Sequence, residues 1–246
     1  MAVSEYFQNV RKHSYNFIFA GVLLVLYEVG MLVLPNPLKI ANGIDVFFEA
    51  IWNLIPGGTI VVSGILIALG LFFLIRDIQS GVTIKPFHFV LMTVESFFWA
   101  ALIFFNLSYV VGLLVGNSWV VMQVTKMENP PTYYLQDVVL SFGAGFYEEL
   151  FFRLILLQIF ILIAKAFQKD PNRWNVRLII IIVGALLFSM VHYIGTYGDS
   201  FRFNSFLQRF FFGLIMYPIF IYRGFGIAAW SHALYDVMVF TMRRMD

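Results

Sequence analysis

Residues 141–158 read SFGAGFYEELFFRLILLQ, eighteen positions that are almost wholly apolar except for Glu148, Glu149 and Arg153. The run has no proline, extends in apolar character to about Ala164, and is as long as a bilayer crossing, which takes about 20 apolar residues. Three charges inside such a helix are expensive: an acid or arginine at mid-bilayer costs about 2.5–3.5 kcal/mol on insertion scales. Working outward, the whole chain is of the same kind. Of its 246 residues, 61% are hydrophobic and 12% charged, against roughly 25% charged in ordinary soluble domains. That excludes a soluble monomer, a disordered chain and a nucleic-acid binder with a basic face. The absence of cysteine excludes disulfides, thiolate metal sites and a cysteine nucleophile.

Apolar runs predict seven spans, near 15–35, 59–75, 86–115, 137–164, 178–194, 206–222 and 227–242. The third is longer than one crossing needs and is free to tilt, bend near Asn106, or divide, which would give eight. Arg11, Lys12 and His13 precede the first run, but its length, its Glu28 and its lack of a small-residue cleavage site predict a retained helix and not a signal peptide. Residues 36–55 read as a loop and an interfacial amphipathic segment, and MENPPTYYLQD (127–137) as a loop broken by Pro130 and Pro131. No repeat or linker interrupts the sequence. The expectation is an all-α, polytopic transmembrane bundle of seven or eight helices, one domain over 1–246. Lys and Arg concentrate in the loops that share a side with the N-terminus, which predicts a cytoplasmic N-terminus. Arg243 and Arg244 fit that assignment poorly.

The intramembrane charges then sort by neighbourhood. Glu28 and Glu95 have no charged neighbour at helical spacing and read as interhelical hydrogen-bonding groups. Glu149 and Arg153, four apart, share a helix face and can pair, while Glu148 is turned about 100° away and is available for acid–base work. Ser141 and Gly145 form a small-xxx-small pair that admits another backbone or a bend. His192 stands four residues after Phe188, and His232 four before Asp236. Measured from the loop holding Lys165 and Arg177, Glu148 and Glu149 lie roughly 24 Å deep and His192 roughly 22 Å; His232 and Asp236 lie roughly 13 and 19 Å from Arg223. These polar groups can therefore converge in one half of the bilayer. His13 and His88 fall near interfaces and read as bland.

Three motifs in order, Glu148-Glu149-Leu150-Phe151-Phe152-Arg153, Phe188-Ser189-Met190-Val191-His192 and His232-Ala233-Leu234-Tyr235-Asp236, resemble those of the CPBP family of intramembrane proteases, which includes the CAAX prenyl endopeptidases, bacteriocin-processing proteins and Abi-type membrane proteins. The resemblance implies peptide-bond hydrolysis at the membrane. It assigns Glu148 and His192 to water activation, His232 and Asp236 to the oxyanion, and Glu149 and Arg153 to positioning that site. Prenyl-protease members carry asparagine where Asp236 stands. An ionised aspartate cannot donate to an oxyanion, so Asp236 is either protonated or orients His232.

The resemblance implies no cofactor. The same residue types also suit zinc, with Glu148, His192 and His232 as the alternative ligand set. The expected partners are a peptide or protein substrate at the membrane and the lipid bilayer itself, with no nucleic acid. Two other function classes stand beside hydrolysis. Intramembrane acids and histidines also mark transport pathways, and a bundle that keeps the motifs could bind a peptide without cleaving it, as an immunity protein would.

Overall fold

The computed structural model describes residues 2–34, 58–115, 131–194 and 198–245. The expected loop and interfacial segment at 36–55, and the positions of Lys39 and Lys126, lie outside the described residues. Within them the chain is all-helical: α1 (Ala2–Asn9), α2 (His13–Val33), α3 (Gly58–Gln79), α4 (Pro86–Val115), α5 (Pro131–Glu149), a π-helical turn (Leu150–Ile155), α6 (Leu156–Ala166), α7 (Trp174–Val191), α8 (Phe203–Arg223) and α9 (Phe225–Met245). With α5, the π turn and α6 forming one continuous rod, there are eight rods among the described residues. Four of the helices, α2, α4, α7 and α8, are long and apolar enough to cross a membrane. Their outward residues are apolar too: Leu32, Phe105, Ile179 and Phe203 are all exposed. Such a surface requires lipid around it.

α9 lies at the centre, packed against α5, α4, α2 and α8. Its approach to α5 is set by small residues. A Cβ on Gly145 would sit 2.5 Å from the Ala229 carbonyl oxygen and 2.7 Å from the Ala233 Cβ, so the small-xxx-small pair admits a neighbouring backbone. Gly145→Ala is expected to cost about 1–3 kcal/mol through overpacking, measured by thermal unfolding in detergent. An unchanged midpoint would mean the two helices separate without penalty.

The start of α2 meets the end of α3, where the Ser14 amide donates to Asp77 Oδ2 at 2.9 Å. The Tyr15 hydroxyl donates to the Thr83 carbonyl ahead of α4. At this end α8 turns into α9 through Gly224, whose φ of 92° is in the left-handed region and suits glycine. The Gly226 amide donates to Asn16 Oδ1 at 2.7 Å. α5 and α9 run antiparallel, with the Tyr134 and Thr241 hydroxyls paired at the opposite end.

Two expectations need correction. α4 is one unbroken 30-residue helix. The 127–137 loop ends by Pro131, from which a helix already runs. Proline is well suited to a first helical position, where its missing N–H has no intrahelical partner anyway. His88, in the first turn of α4, is buried between the rings of Tyr6 and Tyr15.

Glu28 and Glu95 are both hydrogen-bonding groups. Glu28 Oε1 accepts the Tyr147 hydroxyl at 3.0 Å. Glu95 accepts from the Tyr6 hydroxyl at 2.6 Å, from Trp99 Nε1 at 3.2 Å and from Nε and Nη2 of Arg223. Arg223 is therefore buried in the bundle, where the sequence suggested a loop residue.

Candidate active site

The site is assembled where α5 gives way to the π turn. In that turn the Leu156 amide reaches back five residues to the Phe151 carbonyl, the wider spacing of a π-bulge. The turn is braced from outside: the Tyr217 hydroxyl donates to the Phe152 carbonyl at 3.2 Å. Room for that phenol exists because residue 184 is glycine, since a Cβ there would overlap the Tyr217 ring.

Glu149 and Arg153 pair across the turn, Nη1 to Oε1 at 3.1 Å, with both side chains fully buried. The guanidinium nitrogens make no hydrogen bond among the described residues. Charge and aromatic rings hold the group instead: its carbon lies 4.5 Å from the centroid of Phe188 and 5.4 Å from that of Tyr217, distances at which a cation is attracted to a ring face.

Glu149 Oε1 also accepts from His232 Nδ1 at 2.8 Å. That bond turns the other ring nitrogen, Nε2, toward Glu148 Oε2 at 3.8 Å and Asp236 Oδ2 at 3.5 Å. His192 comes from the opposite wall, just beyond the last turn of α7. Its Nδ1 lies 2.7 Å from the Phe188 carbonyl. A carbonyl only accepts, so Nδ1 carries a proton, and in the neutral ring Nε2 then presents a lone pair. That lone pair faces Glu148 Oε2 at 3.7 Å. The two Glu148 distances exceed a direct hydrogen bond and are within the span of one bridging oxygen.

The six residues singled out in the sequence thus stand together. Glu148, Glu149, Arg153 and His232 are buried, while the side chains of His192 and Asp236 keep 22% and 19% of their exposure. The opening is therefore on the His192 and Asp236 side. Several neighbours carry no sequence signal of their own. Phe212 places its ring 4.6 Å from that of His232. Arg209 is buried within α8 and pairs with Asp199, whose amide in turn donates to the His192 carbonyl at 2.8 Å. Only the fold brings these groups together. Among the described residues, no group of three or more histidines and carboxylates is arranged to hold a metal ion.

Residues 130–238 match the family described as type II CAAX prenyl endopeptidase, Rce1-like. The matched segment contains all six residues and supports the CAAX protease family to which the three motifs pointed. A protease of the membrane, acting on a peptide there, is the class this supports. No curated protein and no solved structure matches the chain.

Proposed function

We propose, on the premise that residues 130–238 are of the CAAX prenyl endopeptidase kind, that the protein hydrolyses a peptide bond of a membrane-associated substrate through a water activated by Glu148 and His192. The observation that carries this reading is the facing of Glu148 Oε2 by two imidazole Nε2 atoms, at 3.7 and 3.8 Å. A water held between Glu148 and His192 gives one proton to the Glu148 carboxylate while its oxygen bonds to the carbonyl carbon of the substrate. The second water proton is directed at the His192 lone pair.

Charge building on the carbonyl oxygen is met by His232. With Nδ1–H committed to Glu149, the ring donates from Nε2 only as an imidazolium, a form that the carboxylates of Glu148, Glu149 and Asp236 favour by their proximity. Asp236 thereby orients and stabilises the donor, and need not donate itself. The proton on Glu148 then passes to the leaving nitrogen as the C–N bond breaks, and the carboxylate is restored. Arg153 pairs with Glu149 in a dry site, and Glu149 in turn holds His232.

The substrate class is a prenylated C-terminal or leader-type peptide, and the chain crosses the membrane several times with its N-terminus in the cytoplasm. Arg11, Lys12, Arg76, Lys85, Lys165, Lys169, Arg173 and Arg177, all on the side where α2 begins, support that orientation. The test is incubation of the purified protein with prenylated, leader-type and unmodified peptides, with products identified by mass. Cleavage of none, with stable capture of one, would favour a binding protein. Substrate- or pH-driven flux in liposomes without cleavage would favour a carrier.

The proposed reaction is metal-free. Treatment with a chelator is expected to leave cleavage unchanged. Loss of activity that zinc restores would instead assign Glu148, His192 and His232 as ligands.

A further inference from the structure

Away from the site, α6 and α7 diverge at the end of the bundle where α2 begins. They leave a crevice of about 650 Å³ whose walls include Ile163, Phe167, Ile179 and Val183, with Lys169 and Arg173 at its mouth. The apolar residues are open to the surroundings: Phe167 is 74% exposed and Ile179 61%. The mouth is rigidly built. α6 ends with the Gln168 amide bonded to the Lys165 carbonyl and the Lys169 amide bonded to the Ala164 carbonyl, with Gln168 at φ 54°, the double bond of a Schellman cap. The turn continues through the Asn172 amide on Asp170 Oδ1 and the Arg173 amide on the Asp170 carbonyl. The backbone at Lys169 and Arg173 is thereby set, and neither side chain forms an ion pair with a carboxylate among the described residues. Asp170 also lines the mouth, but one of its oxygens is already engaged by the Asn172 amide.

The crevice starts at the polar end of a membrane-length helix, Trp174–Val191, and Trp174 there is 77% exposed, as aromatic residues are at membrane interfaces. A cationic mouth above an apolar wall at this depth calls for a molecule with an anionic head and an apolar tail. Basic pockets between membrane helices suit acidic lipid headgroups. We infer that the α6–α7 crevice is a binding site for one anionic phospholipid, its phosphate on Lys169 and Arg173 and its upper acyl chain along Ile163, Phe167, Ile179 and Val183. The inference is independent of the proposed hydrolysis.

The test uses the full chain in nanodiscs of phosphatidylcholine with or without phosphatidylglycerol, and native mass spectrometry of the lipid retained on release. The wild type is expected to retain phosphatidylglycerol over phosphatidylcholine on the order of tenfold or more, the combined effect of two cations at a headgroup. Lys169→Gln with Arg173→Gln should remove the preference. Ala164→Trp, which changes no charge but fills the crevice, should remove retention. Arg11→Gln with Lys12→Gln, on the same end of the bundle, should change neither.

Retention in the Lys169/Arg173 or the Ala164 variant equal to wild type would overturn the site. So would equal losses from the Arg11/Lys12 pair, which would reduce the effect to general surface charge. Displacement of the lipid by excess inorganic phosphate alone would assign the mouth to a soluble anion and overturn the lipid. Thermal unfolding of each variant in detergent checks that the fold is retained.

Discussion

Glu148→Gln is expected to lose hydrolysis by about 10²- to 10⁴-fold, the usual contribution of a positioned general base, while unfolding at the temperature of the wild type. The amide keeps the shape of the carboxylate and can still hydrogen-bond, but it cannot take a proton from water. His192→Ala should lose activity to a similar extent, because the lone pair facing Glu148 disappears while the Phe188 carbonyl remains at the edge of the opening. The measurement is the initial rate of product formation with whichever peptide the wild type cleaves. Full activity in Glu148→Gln would end its assignment as the base and move the search to Asp236, the other carboxylate beside His232.

Arg153→Met should have the largest effect on stability, about 3–5 kcal/mol, the usual cost of leaving one partner of a buried ion pair alone. Glu149 has no water to turn to, because both side chains are fully buried. The rings of Phe188 and Tyr217, now packed around a guanidinium, can accept a thioether of similar length. The loss is therefore assigned to charge and not to volume.

Adding Glu149→Gln to Arg153→Met should return most of the stability, since replacing both members of a buried pair is often close to neutral. It should not return activity, because the imidazolium of His232 then loses the anion at Nδ1. Denaturation of the four proteins forms a double-mutant cycle that isolates the pair. If Arg153→Met were as stable as the wild type, the arginine would not be the counter-charge of Glu149, and its role would reduce to packing.

Much of this was legible in the sequence because it depends on local periodicity. Seven apolar runs correspond to helices, and two of the site's contacts, Glu149 with Arg153 and His232 with Asp236, follow from a spacing of four on one helix. The convergence of three helices was accessible by counting depth along each one. What was hidden depends on contacts far apart in sequence. Arg223 finds Glu95 across 128 positions, so hydropathy alone read it as the end of a loop. Arg209 is buried because Asp199, ten residues earlier, supplies its counter-charge. The π turn has no composition of its own: LFFRLI is as good an α-helix as its flanks. Its stability comes from Tyr217, and the space for Tyr217 from Gly184, both on other helices.

The π turn also separates the rod into two halves that can be tuned independently. A π-bulge amounts to one residue inserted into an α-helix, and each residue turns the chain by about 100°. α5 therefore presents its acids to α9, while α6 presents a different stripe to α7. Deleting Leu154 alone from the turn Leu150–Ile155 would restore a regular helix and keep every residue type of the site. It would nonetheless swing α6 by about a quarter-turn or more relative to the acids. The rod acts as a phase shifter, and a one-codon deletion would misalign the two interfaces without removing any of the six site residues.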